Sequence, residues 1–178
     1  MSNIFQRLEL QAFRAGITPR TKESREWFRK KIKNMRSIKR EALMKEDPLK
    51  QTGQEIVGNM YMFFYDPKHK DTLPYYDTFP LIFPLEPAKG GFIGLNFHYL
   101  PPLARVRFLR SLANTTTDKK FDKRTRYNIN WRNNTFMKKT AKHYLFNHVR
   151  TSFLNITAEE MAIAIFLPVA RFKKGSPY

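Results

Sequence analysis

The sequence predicts an α+β protein, with a small antiparallel SH3-like β-barrel or curled sheet flanked by N-terminal and C-terminal basic helices. Three observations predict it. Apolar residues recur at spacings of three and four in the first and last parts of the chain. The middle holds short aromatic runs punctuated by proline, glycine and aspartate. Charge divides along the same lines. Residues 1–55 carry 14 basic and 7 acidic side chains, residues 56–104 carry 3 and 4, and residues 105–178 carry 16 and 4. The expected division is a basic helical arm (1–55), a β-rich aromatic core (56–104) and a basic helical C-terminal region (105–178).

In the first part, Phe5, Leu8 and Phe13 predict a short helix ended by Gly16. Thr18-Pro19 reads as an N-cap with proline in the first turn. One long helix is predicted over 19–45, because Phe28, Ile32, Met35, Ile38 and Ala42 recur on one stripe. Arg29, Lys30, Lys33, Arg36 and Arg40 lie largely off it. Glu46-Asp47-Pro48 ends the run, since the residue before proline avoids helical geometry. Acids at that end oppose the helix dipole and are unexpected there.

The middle part reads as strands. Residues 60–65 (MYMFFY) form the first, and a polar turn over 66–71 follows. Residues 79–85 (FPLIFPL) form the second, which Pro80 and Pro84 push to a sheet edge because proline lacks a donor. Lys89-Gly90-Gly91 signals a hairpin, and residues 92–100 form the third strand, stopped by Pro101-Pro102.

The last part returns to helix. Leu103, Val106, Leu109 and Leu112 make a stripe, with Arg105, Arg107 and Arg110 mainly on other faces. Residues 114–134 form a polar basic connection, long enough for a functional arm. A further helix is predicted over 136–149, and Thr157-Ala158-Glu159-Glu160 has the capping-box pattern of another.

Charge directs the functional reading. The net charge is +18 over 178 residues, and self-repulsion of that size calls for a polyanion. Double-stranded DNA is the expected partner, because cations on phosphates release condensed counterions. Acidic protein neighbours are the alternative. At 42% apolar residues the chain has a core to bury and is not a disordered tail. It has no cysteine, which excludes disulfides and thiolate zinc sites. No signal peptide is expected at the N-terminus, and no apolar run approaches the roughly 20 residues of a membrane span. The Asn155-Ile156-Thr157 sequon is read as chance.

The densest cationic stretch holds Lys119, Lys120, Lys123, Arg124 and Arg126, and continues to Trp131 and Arg132. Phe121, Tyr127 and Trp131 are placed to stack on bases or to anchor the loop to the core. Lys30, Lys33, Arg36 and Arg40 offer a second surface, and Arg105, Arg107, Arg110, Lys138 and Lys139 extend the candidate phosphate contacts.

Catalytic signatures are sparse. Asp66, His69, Asp71, Asp77 and His98 suit a divalent ion if the strands bring them together, but Asp66-Pro67 and its neighbours are also what a turn requires. His143 and His148 are five apart, which does not align two ligands on a helix face. No HExxH, phosphate loop, GxGxxG or GxSxG occurs. No cofactor, no metal and no enzymatic activity are expected.

Three blocks are distinctive together: residues 58–68, with Tyr65-Asp66-Pro67-Lys68; residues 73–81, with Leu73-Pro74-Tyr75-Tyr76-Asp77; and residues 90–102, with Gly94-Leu95-Asn96-Phe97-His98-Tyr99-Leu100-Pro101-Pro102. They resemble small proteins of contractile-tailed bacteriophages, some labelled DNA end protector proteins, over roughly residues 10–105. The resemblance implies a minor virion protein, present in host cytoplasm during assembly. It would bind the terminus of the packaged genome and shield it from host exonucleases, or occupy the head–tail channel. No catalytic residue carries over. Two other readings remain open. One is a neck, portal or baseplate subunit docked on virion structural proteins or on further copies of itself as a homo-oligomer. The other is a metal-dependent nuclease using Asp66, His69 and Asp77.

Overall fold

A computed structural model describes residues 3–35, 37–46, 50–53, 59–113 and 131–178. Helix α1 (Ile4–Arg14) opens on a capping box between Asn3 and Gln6 and buries Ile4, Phe5, Leu8 and Ala12. Gly16, at φ 72°, turns the chain away afterwards. Helix α2 (Lys22–Lys33) is capped by Thr21 and Ser24, three residues later than Thr18, and buries Phe28 and Ile32.

The predicted 19–45 helix is two helices. Asn34 caps α2, and α3 (Arg40–Lys45) starts afresh. Asn34 and Ser37 favour leaving a helix. Arg40 then fixes the new start, donating from Nε to the Val169 carbonyl at 2.7 Å and from its Nη2 to Ala170 at 2.8 Å. The acids after α3 also find a reason. The Glu46 carboxylate accepts the Ile4 N–H at 2.7 Å, so it serves the positive end of α1.

Among the described residues, six antiparallel strands form the main sheet: β1 (Gln51–Thr52), β2 (Met60–Met62), β4 (Leu81–Ala88), β5 (Gly91–Asn96), β6 (Ala141–Leu145) and β7 (Phe153–Ile156). Their order is β1-β7-β2-β4-β5-β6, so the sheet is open and the expected barrel closure is absent. A second sheet pairs β3 (Tyr76–Asp77) with β8 (Phe172–Lys173).

β4 is interior, not an edge. Its prolines are tolerated because β2 pairs with Leu81 and Ile82, whereas Pro84 and Pro87 lie beyond that pairing. A register shift between Pro84 and Glu86 absorbs the remaining mismatch with β5.

The C-terminal region is less helical than predicted. Helix α4 (Pro102–Ala113) is present. The 136–149 helix is not: α5 (Thr135–Thr140) is short and gives way at once to β6. Glycine on β5 permits this, since a Cβ at Gly91 would lie 1.8 Å from the Tyr144 carbonyl oxygen. Strand β7 has no counterpart in the sequence prediction; it lies between β1 and β2. The capping pattern at Thr157 does operate, with the Glu160 carboxylate accepting the Thr157 N–H at 2.9 Å. The helix it precedes, α6 (Met161–Ala164), is a single turn.

The main core joins the inner faces of α1–α4 and α6 to one side of the sheet. A second cluster covers the other side: Tyr61, Phe63, Tyr65, Ile82, Phe92, Tyr144 and Phe153. Phe63 is its centre, edge-on to Phe153, Tyr144, Tyr65 and Phe92. The Tyr65 hydroxyl accepts the Leu145 N–H at 3.0 Å, tying the end of the β2 segment to the far edge strand. The sheet does not close around these rings.

Candidate nucleic-acid interface

Two of the three sequence blocks, 73–81 and 90–102, meet in a buried polar hub. Asp77 ends β3, Asn96 ends β5 and His98 lies in the following 3₁₀ turn. Asp77 accepts from the Phe79 N–H (2.9 Å), the Asn96 amide (3.2 Å) and the Arg171 N–H (3.2 Å), and its Oδ2 lies 2.7 Å from His98 Nδ1. Burial disfavours the Asp77 charge, but His98 and these donors hold its pKa below the usual carboxylate value. Burial also pushes His98 down, against the attraction of Asp77, with Arg105 and Arg40 adding to the shift. The ring is therefore neutral at pH 7, with its proton on Nδ1 facing the carboxylate. Nε2 is buried and has no partner among the described residues.

Asp66 and Asp71 lie apart from this hub in the turn that the sequence suggested. Asp66 pairs with Lys70 and Arg150. His69 is exposed. Among the described residues, no group of three or more such side chains is placed to hold a metal ion.

The candidate cations fall into three classes. Arg40 and Arg105 hold parts of the fold together. Arg40 holds the Val169 and Ala170 carbonyls. Arg105 is 5% exposed and donates to the Leu100 and Ile165 carbonyls and to the Tyr178 hydroxyl. Their guanidinium groups donate to acceptors of the fold.

The second class is exposed. On α2, Phe28 and Ile32 turn inward, which leaves Arg29, Lys30 and Lys33 in solvent. On α4, Arg105 and Phe108 turn inward, leaving Arg107 and Arg110 outside. Lys138 and Lys139 are exposed on α5. Arg132 is exposed but engaged, stacked 4.5 Å over the Trp131 ring and paired with Glu86. Trp131 itself is half-buried against the main core, so anchoring is at least part of its role.

The third class lies outside the described residues: Arg36, Lys119, Lys120, Lys123, Arg124 and Arg126, with Phe121 and Tyr127.

Two further cations are absent from the sequence-based set. Arg25 sits one turn before Arg29 on α2, a spacing that would have found it in the sequence. Lys142 on β6 lies 4.4 Å over the Tyr99 ring, and its burial lowers its pKa. Only tertiary structure places it there.

This arrangement is a scaffold of buried polar and aromatic residues carrying unneutralised cations on helices. The profile of a family described as the phage T4 terminal DNA protecting protein matches residues 2–178. The chain belongs to this family. The match bears out the resemblance carried by the three blocks and extends it through the basic C-terminal part. No curated protein and no solved structure matches the chain. In this member of the terminal DNA protecting family, two of the family-like blocks build the hub around Asp77, while the exposed cations of α2, α4 and α5 lie outside the blocks.

Proposed function

We propose that this protein binds double-stranded DNA at the termini of a packaged phage genome and shields them from exonucleases without doing chemistry itself. The description of its family supports terminal protection. The observation that carries DNA contact is the exposed set Arg29, Lys30, Lys33, Arg107, Arg110, Lys138 and Lys139. None of these has an ion-pair or hydrogen-bond partner among the described residues, although the chain folds with acids available elsewhere. Cations left without acids on three helices suit a polyanion, whose condensed counterions they would release. The proposed location is the virion, with the host cytoplasm during assembly.

Exonuclease digestion of blunt linear duplex, with and without the protein across a salt series, tests this reading. Protection that fades steeply with salt is expected. Digestion at an unchanged rate at low salt would overturn it.

A second reading has its own observation. Leu10 and Phe13 on α1 are 49% and 79% exposed, one turn apart beside Arg14. An exposed apolar pair of this kind supports docking on a virion structural protein or another copy. Sedimentation of the purified protein, alone and with head–tail proteins, tests it; a monomer without association would count against it.

A further inference from the structure

Helices α2 and α4 both pack on the single turn of α6. Arg25, near the start of α2, and Arg110, in the last turn of α4, are near enough for the charge of one to act on the other. Neither has an acidic partner among the described residues. Arg25 makes one long bond, from Nη1 to the Arg20 carbonyl at 3.4 Å. Its Nε is buried with no acceptor among the described residues. Arg110 is exposed and makes no hydrogen bond among the described residues. Glu159, an acid in this corner, is paired with Arg20. Burial and then the charge of Arg110 lower the Arg25 pKa, so each guanidinium works against the other. Lys22 and Arg29 flank Arg25 on α2, and Arg107 lies one turn before Arg110, so the surroundings are also cationic.

Two like charges held together with donors unfilled fit an oxyanion between them. A phosphate group presents oxygens that a guanidinium fork engages in pairs, and its charge removes the repulsion. We propose that Arg25 and Arg110 clamp one phosphate group of duplex DNA between α2 and α4. The clamp rests on the DNA-binding reading above and gives it a place and a chemistry. A backbone phosphodiester and a terminal 5′-phosphate offer the same oxygens, and either is a ligand for it.

The test is anisotropy of an internally labelled blunt duplex, titrated with wild type, Arg25→Ala, Arg110→Ala and the double variant over a salt series. Each single variant is expected to weaken binding about tenfold, and the double little more than either, because one phosphate needs both arms. The slope of log affinity against log salt should fall by about 0.9. Arg110→Glu checks folding: its carboxylate should pair with Arg25 and leave thermal stability at least at the wild-type level while binding is abolished. Duplexes with 5′-phosphate and 5′-hydroxyl ends separate the two sources. A variant effect confined to the former assigns the terminal monoester, and an equal effect on both assigns the backbone. Wild-type affinity and slope in the double variant would overturn the clamp alone. A wild type that binds no duplex would overturn the DNA-binding reading, and the clamp with it.

Discussion

His98 and Asp77 form a buried pair: the imidazole Nδ1 lies 2.7 Å from Asp77 Oδ2, and the side chains are 0% and 1% exposed. Asn96 bonds the same carboxylate and also caps the His98 N–H through its Oδ1. The pair joins β3, the end of β5 and the returning C-terminal segment at Arg171. It has the make-up of an acid–base dyad, but its burial assigns it to architecture.

Stability should therefore depend on pH through His98. In the unfolded chain an imidazole takes a proton below about pH 6.5. In the folded protein burial holds the His98 pKa lower, while Asp77, Arg105 and Arg40 surround the ring. The unfolded state then binds more protons, and stability present above about pH 6.5 is lost as pH falls. Asp77 has the same sign at lower pH, below about 4, since its folded pKa is also depressed. The urea midpoint should drop between about pH 7.5 and 5.5 in wild type, and the drop should shrink in His98→Gln. A wild-type midpoint that stays constant would contradict the neutral buried ring.

Removing Asp77 should cost more than titrating its partner. Asp77→Ala leaves the Phe79 and Arg171 N–H groups, the Asn96 amide and His98 without their acceptor. A loss of about 3–5 kcal/mol is expected in chemical denaturation, as for other broken buried pairs.

Arg105 and Arg107 are two positions apart and should separate stability from binding. Arg105→Ala leaves the Leu100 and Ile165 carbonyls and the Tyr178 hydroxyl without their donor and should cost about 3 kcal/mol. Arg107→Ala should change stability by less than about 0.5 kcal/mol and weaken DNA binding. Denaturation and duplex titration on the same two variants check both halves.

Gly91→Ala tests the β5–β6 contact. A Cβ there would lie 1.8 Å from the Tyr144 carbonyl oxygen, a backbone atom that cannot rotate away. Edge strand β6 should detach or the protein fail to fold, with amide exchange over residues 141–145 accelerated. Gly53→Ala, where a Cβ meets nothing within 4 Å, is the control.

The exposed lysine pairs should act through charge number. Lys30→Ala/Lys33→Ala and Lys138→Ala/Lys139→Ala should each reduce the salt slope of duplex binding by roughly 0.9 for every phosphate that the pair no longer neutralises. Thermal melting should stay near wild type, because all four side chains are exposed.

Much about this protein follows from local chemistry that a sequence states directly. Composition and segment charge lead to a cationic chain with an aromatic centre, and three motif blocks lead to the family. The capping residues at Thr157 and Glu160, the hairpin at Gly90 and the inward stripe of α2 are legible because each depends on neighbours within a few residues. What tertiary structure decided is the fate of groups whose partners lie far along the chain. Arg105 and Arg107 look alike in sequence; the Ile165 carbonyl and the Tyr178 hydroxyl, 60 and 73 residues away, make one structural. The proline-bearing β4 is interior because β2 stops pairing before Pro84. Residues 141–145 form a strand because Gly91 lets another strand approach. Helical periodicity could not foresee that, since close backbone approach is a property of the partner strand rather than of the segment itself.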